Sequence, residues 1–286
     1  MPIAVIAFDF DPLLRLADGL VVRWQTVALV AIVTAGLIVA GLIARRERLR
    51  ADDLLFIAVA AVPGAVIGGR IGYVLLHLDY YSSHREAILD PGQGSLELAL
   101  AIVGATLSGS YVAALLGAPI GRWLRTLALP LLFVLGAGKL AMVLGGSGQG
   151  QPADLPWATA YVGPGPWGSL APDLPSHPSQ AYEGIATLAI LAILTFTLAA
   201  HGFRTRDSRL FFVALALWAL ARAAVTLTWR GPALIGLNEA GLIAISCAIG
   251  FAILHVVVGR RHSDSLHPLD IAHDANWADP EARPRF

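Results

Sequence analysis

The chain has 286 residues, 56% of them hydrophobic and only 14% charged, with a formal net charge of +0 and a mean hydropathy of +0.68. A soluble domain carries about 25% charged residues, so composition excludes a water-soluble globule and predicts an all-α integral membrane protein. The zero net charge, with no basic cluster between exposed aromatics, excludes nucleic acid as a partner. The lone Cys247 excludes a disulfide framework and a cysteine metal pair.

The first residues, MPIAVIAFDFDPLL, have no positive charge ahead of their apolar positions and are interrupted by Asp9, Asp11 and Pro12, so they do not read as a cleaved signal peptide. Seven apolar runs then follow, each near the ~20 residues that cross a hydrocarbon core of about 30 Å. They are Gln25–Ala44, Leu54–Leu76, Leu96–Leu116, Leu124–Leu144, Ala181–Ala200, Leu210–Thr228 and Ala233–Val258. None alternates as a barrel strand does, and backbone groups in lipid must be satisfied within the segment, so all seven are predicted helices.

Basic residues sort into alternate connections: Arg45 to Arg50 after span one, Arg122 and Arg125 around the start of span four, Arg204, Arg206 and Arg209 before span six, Arg260 and Arg261 after span seven. The positive-inside rule therefore predicts an outside N-terminus and a cytoplasmic C-terminus. Residues 1–261 form a single transmembrane domain in this reading. The segment Gly145 to Ser179 becomes a long outer loop, rich in Gly and Pro, whose Trp157 and Trp167 suit an interface. Residues 262–286 read as a polar, disordered cytoplasmic tail, and its His262, His267 and His273 match no metal-ligand spacing. No internal repeat is evident, which argues against transporters built from inverted halves.

Several charges fall inside the apolar runs. Arg70 lies within AVIGGRIGYVLL, with Tyr73 and His77 on the same helical face, and that polar stripe is predicted to face the bundle interior. Lys139 and Arg222 are two further cations, and Gly68, Gly69, Gly136 and Gly138 beside them permit close helix approach. A cation at the bilayer centre costs at least about 2.5 kcal/mol, so each needs compensation. The acidic residues at comparable depth are Glu183 and Glu239. Cations then outnumber acids, and the three are expected to converge on one site for an anionic lipid headgroup, because guanidinium binds phosphate bidentately. The alternative is that Arg70 or Arg222 pairs with one of these glutamates and only fixes packing. Gln180, Glu183 and Thr187 form a polar face at the start of span five, a candidate site wall.

Four motifs in order carry a family resemblance: FDPLLRLADGLVVRW before span one, GGRIGYVLLHLDYY in span two, GQPADLPW after span four and HPSQAYE at span five. The set, from about Phe8 to about Gly259, resembles prolipoprotein diacylglyceryl transferase. The resemblance implies transfer of a diacylglyceryl group from phosphatidylglycerol to the lipobox cysteine of a preprolipoprotein, forming a thioether and releasing glycerol 1-phosphate. It implies no cofactor, and a multi-pass place in the bacterial cytoplasmic (inner) membrane. Arg70 matches the arginine of the family's GARLGYV-like motif, which also contains Tyr73. His177, Gln180, Tyr182 and Glu183 match HPSQLYE, and Arg222 matches the late-helix arginine of the headgroup site. Lys139 stands where the family has its signature arginine. By this resemblance His177 and Arg222 are the expected catalytic residues, and Arg70, Tyr73, Lys139, Gln180, Tyr182 and Glu183 the substrate-binding ones. No metal site is expected.

Several family positions differ. The tyrosine after RW is Gln25, the histidine of the SIHGG-like segment falls at Val103, and GRIGNFINGE becomes GKLAMVLGGS, with Met142 for asparagine and Ser147 for glutamate. The next arginine falls at Gln151, and Thr226 replaces a glutamate. Val103 takes no proton, which leaves His177 as the histidine the motif puts at the site mouth. Two readings stay open: a transferase with reduced or altered activity, and a catalytically silent membrane protein that binds phospholipid or lipoprotein precursors.

Overall fold

The computed structural model describes residues 5–17, 19–90, 94–200, 207–230 and 238–265. In chain order its elements are β1 (Ile6–Phe8), β2 (Leu13–Ala17), β3 (Leu20–Arg23), α1 (Trp24–Arg46), α2 (Asp53–Leu75), α3 (Leu78–Ser83), α4 (Leu98–Leu115), α5 (Ile120–Ala141), β4 (Thr159–Tyr161), α6 (Ser179–Ala199), α7 (Arg209–Thr226) and α8 (Glu239–Ser265). All the helices except the short α3 are long and apolar enough to cross a membrane, seven among the described residues. They coincide with the seven predicted spans within a few residues. The last span's predicted start, Ala233, lies outside the described residues, as does the tail from 266 onward.

Large apolar side chains remain exposed along these helices, among them Val30 and Ile38 on α1, Phe56 and Ile67 on α2, Leu107 on α4, Phe196 on α6 and Ile253 on α8. An apolar belt of this extent is satisfied by lipid rather than water. The protein is thus a multi-pass membrane protein, and α7 is its most enclosed helix. Leu210, Phe211, Leu215 and Trp218 of α7 pack with Leu132 and Leu135 of α5, Leu194 of α6 and Phe251 of α8 in the main core. A smaller core joins Ala40 and Ala44 of α1 to Ile57 of α2 and Trp123 of α5.

Helices α2 and α4 approach backbone to backbone, and glycine is the reason. Gly64, Gly68 and Gly72 recur every fourth residue along α2. A Cβ at Gly64 would overlap the Gly104 carbonyl, and one at Gly104 would overlap the Gly64 carbonyl. Small residues at this spacing let two backbones touch, which is how apolar helices gain packing energy in lipid.

Two small sheets modify the all-α expectation. β2 and β3 form an antiparallel hairpin turned at Gly19, whose φ of +83° suits glycine. β1 pairs in parallel with β4, placing Ile6 beside Thr159 and Phe8 beside Tyr161. The Gly- and Pro-rich loop is ordered by this pairing. Phe8 stacks on Tyr161 at 5.0 Å, Tyr161 meets Trp167 at 4.8 Å, and Phe10 meets Trp167 edge-on at 5.2 Å. Trp167 is half-buried in this aromatic group, with its indole N–H on the Gly163 carbonyl at 2.9 Å.

Candidate active site at one end of the bundle

The site begins with a carboxylate that the sequence reading overlooked. Glu97 precedes α4 in extended conformation, and its side chain accepts from the Ala99 and Leu100 N–H groups at 2.9 and 2.8 Å. It therefore caps the first turn of the helix. Its own N–H donates to the Gly69 carbonyl at 2.8 Å. The absent side chain at Gly72 makes room, since a Cβ there would come within 2.7 Å of Glu97 Cβ and 3.1 Å of its Oε2. The glycine spacing of α2 thus sets where the carboxylate stands.

On the opposite wall α5 and α6 cross at Gly136 and Gly184. A Cβ at Gly184 would lie 2.9 Å from the Gly136 carbonyl oxygen. That approach brings Lys139, one turn along α5, to Glu183, and Nζ meets Oε2 at 2.8 Å. From α7, Arg222 donates to Glu183 Oε1 at 2.8 Å and to Glu97 Oε1 at 3.1 Å. Four helices are joined by these three contacts. Arg222 is 3% exposed, Glu97 4% and Glu183 1%. The Trp229 ring covers both cations, 4.8 Å from the Arg222 guanidinium carbon and 5.7 Å from Lys139 Nζ. Such contacts strengthen where water is displaced.

These charges border a cavity of about 530 Å³. Glu97, Lys139 and Arg222 line it with Tyr73, His77, Met142, Gln149, Ser169, Trp229 and Arg230. Arg230 is anchored by the Gly150 carbonyl at 2.6 Å and Ser176 Oγ at 3.0 Å. Gln149 donates to the carbonyls of Thr159 and Leu174 at 2.7 and 3.2 Å and receives the Ser169 hydroxyl. Across the cluster three cations, Lys139, Arg222 and Arg230, face two carboxylates, Glu97 and Glu183. The excess is one positive charge.

The expected convergence of Arg70, Lys139 and Arg222 is therefore incomplete. Arg70 is not among the cavity's lining residues. Its guanidinium gathers the carbonyls of Ala87, Ile88 and Asp90 at 2.6, 2.7 and 3.1 Å and lies over Tyr81 at 5.3 Å. It ties the 3₁₀ turn at Arg85–Leu89 to α2. The expected excess of cations is real, but Arg230 supplies it. Glu239, expected at depth, is exposed at the start of α8.

The HPSQAYE segment divides. Glu183 joins the charge cluster, and Gln180 Nε2 donates to Tyr161 OH at 2.9 Å. His177 sits with Tyr182, Nδ1 to OH at 3.4 Å, while that hydroxyl also receives the Trp157 indole N–H at 2.7 Å. Neither His177 nor Tyr182 is among the cavity's lining residues, whereas His77 is. Burial pushes the Tyr161 hydroxyl up to about 12, more than its bond from Gln180 lowers it.

The divergent positions are equally specific. Val103 packs against the main apolar core, and Met142 lines the cavity. Ser147 donates to Gln25 Oε1 at 3.1 Å, Gln151 Nε2 reaches the Leu227 carbonyl at 3.4 Å, and Thr226 Oγ1 returns to the Ala223 carbonyl at 2.6 Å. No group of three or more His, Cys, Asp or Glu that could hold a metal occurs among the described residues.

A bundle of seven apolar helices with a charged, aromatic-covered cavity at one end defines a multi-pass membrane protein with a polar site opening from its apolar interior. A family model described as prolipoprotein diacylglyceryl transferase matches residues 12–259. The chain is 30% identical over 267 residues to the phosphatidylglycerol–prolipoprotein diacylglyceryl transferase of Geobacter sulfurreducens, covering 88% of this chain and 96% of that protein. It is 29% identical over 229 residues to the protein of the same name from Trichormus variabilis, covering 78% and 80%. For that from Methylocella silvestris the figures are 31% over 214 residues, covering 68% and 72%. The chain belongs to the prolipoprotein diacylglyceryl transferase family, and is by that membership a transferase.

Proposed function

We propose that the protein transfers the diacylglyceryl group of phosphatidylglycerol to the lipobox cysteine of a preprolipoprotein in the bacterial inner membrane. In this reading the N-terminus and the loop between α5 and α6 face outward, and the cavity opens in the outer half of the bilayer. The observation that carries it is the single surplus cation around a cavity of about 530 Å³ whose mouth lies at the end of an apolar bundle. A phosphodiester headgroup bears one negative charge, and its acyl chains need an apolar surround. Lys139, Arg222 and Arg230 would neutralise the phosphate as it leaves with growing charge. Glu97 and Glu183 would hold two of those cations in place. Tyr73 walls the headgroup side, and Arg70 shapes the turn leading to Glu97. Gln180, Tyr182 and His177 support the outer rim.

The second reading is phospholipid or precursor binding without transfer, favoured by Val103, which lies against the apolar core where the family resemblance expects a histidine. One experiment separates the two. Purified protein is incubated with phosphatidylglycerol vesicles and a lipobox peptide, and the peptide mass and released glycerol phosphate are measured. Gain of one diacylglyceryl unit with stoichiometric glycerol phosphate is expected. Retained lipid with an unmodified peptide would overturn the transferase reading and leave the binder.

A further inference from the structure

We infer that His77 Nε2 is the group that takes the thiol proton in this protein. The inference rests on the transferase reading above. His77 follows α2 at the cavity wall, sharing that wall with Glu97, Lys139, Arg222 and Arg230. Its Nδ1 is 2.9 Å from the Tyr73 carbonyl oxygen. A carbonyl only accepts, so Nδ1 carries the proton and, in the neutral ring, the Nε2 lone pair stays available as a base. The ring is held by stacking on Tyr73, with centroids 4.1 Å apart and planes 24° from parallel. Tyr73 is in turn backed by Gly94, where any side chain would overlap its ring. Orientation by a fixed carbonyl and a stacked ring is what a general base needs before substrate arrives.

His177 is arranged differently. Its Nδ1 faces the Tyr182 hydroxyl, which accepts the Trp157 indole N–H and has its own proton to give. That contact lies off the cavity wall that His77 shares with Lys139, Arg222 and Arg230.

In the step assigned here, Nε2 of His77 takes the proton from the cysteine Sγ–H. The sulfur lone pair forms a C–S bond to the glycerol carbon that carries the phosphate ester. The C–O bond breaks, and its electron pair departs with the phosphate oxygen, facing Lys139, Arg222 and Arg230. The imidazolium then returns its proton to the released phosphate monoester or to water, so charge and protons balance.

The test compares wild type with His77→Gln and His77→Ala, using phosphatidylglycerol vesicles and a lipobox peptide. Loss of a general base typically costs about 10²- to 10⁴-fold. That loss is expected in kcat for both His77 variants, with KM for phosphatidylglycerol unchanged and with partial restoration of His77→Ala by added imidazole. Full turnover by His77→Gln would overturn the assignment, as would a loss that imidazole does not reverse and that appears in KM. A wild type that transfers nothing removes the transferase reading, and this inference with it.

Discussion

Glu97 and Arg222 stand 125 residues apart in sequence and meet at 3.1 Å between Oε1 and Nη2. Each has a second commitment, Glu97 to the first turn of α4 and Arg222 to Glu183. A helix cap is therefore also one end of a buried ion network. Removing Arg222 leaves Glu97 charged and enclosed without its cation, a loss that costs about 3–5 kcal/mol, whereas removing the Glu97 charge leaves Arg222 paired with Glu183.

Arg222→Leu is expected to destabilise the protein by that amount, because two carboxylates lose a partner at once. Glu97→Gln should cost less, since the amide oxygen still accepts from one backbone N–H. Thermal unfolding in detergent checks the order. Equal losses in the two variants would mean that the network contributes nothing beyond the cap.

Gly72→Val tests the geometry behind Glu97. Its side chain must displace the glutamate, and overpacking of this kind costs about 1–3 kcal/mol. Lipid retention should fall in the same variant, because Arg222 is then misplaced. A crosslinking measurement between α2 and α4 would register the separation.

Arg70 holds three carbonyls in a fixed array, a geometry an ammonium does not reproduce. Arg70→Lys and Arg70→Ala are both expected to expose the turn from Arg85 to Asp90 to protease. Protection retained in the lysine variant would show that charge alone suffices.

Val103→His places a polar ring against the apolar core rather than in the cavity. Burial without a partner costs about 1–3 kcal/mol, so the variant should unfold at lower temperature and gain no turnover. Raised turnover in the peptide assay would contradict this placement.

Tyr161 makes stability depend on alkaline pH. Its hydroxyl titrates near 12 when folded against 10.0 ordinarily. Below pH 10 both states keep the proton and nothing changes. Between 10 and 12 the unfolded chain loses protons that the folded one retains, so stability falls as pH rises. Unfolding curves across this window should flatten in Tyr161→Phe.

Hydropathy made the seven helices legible because length and apolarity are local properties. The charge network was legible only in part. Glu97 was absorbed into the start of span three, although a carboxylate just before Leu98, able to reach the N–H groups two and three residues on, is the mark of a cap. Arg230 lies just beyond the sixth apolar run and His77 just beyond the second, and their place at the cavity depends on helix depth and rotation, which hydropathy does not encode. Short segments such as IAF and TAY carry too few residues to show alternation, so β1 and β4 were not anticipated.

The pairing of β1 with β4 also has a parity. Between Phe8 and Thr159 the chain passes through α1, α2, α4 and α5, four crossings among the described residues. An even number returns the chain to the face where it began, whichever face that is. A nascent chain that skips one crossing leaves Ile6 and Thr159 on opposite sides of the bilayer, and the strand, the Phe8–Tyr161 stack and the loop they order cannot form. The small sheet is therefore compatible only with chains in which all four of these crossings are made.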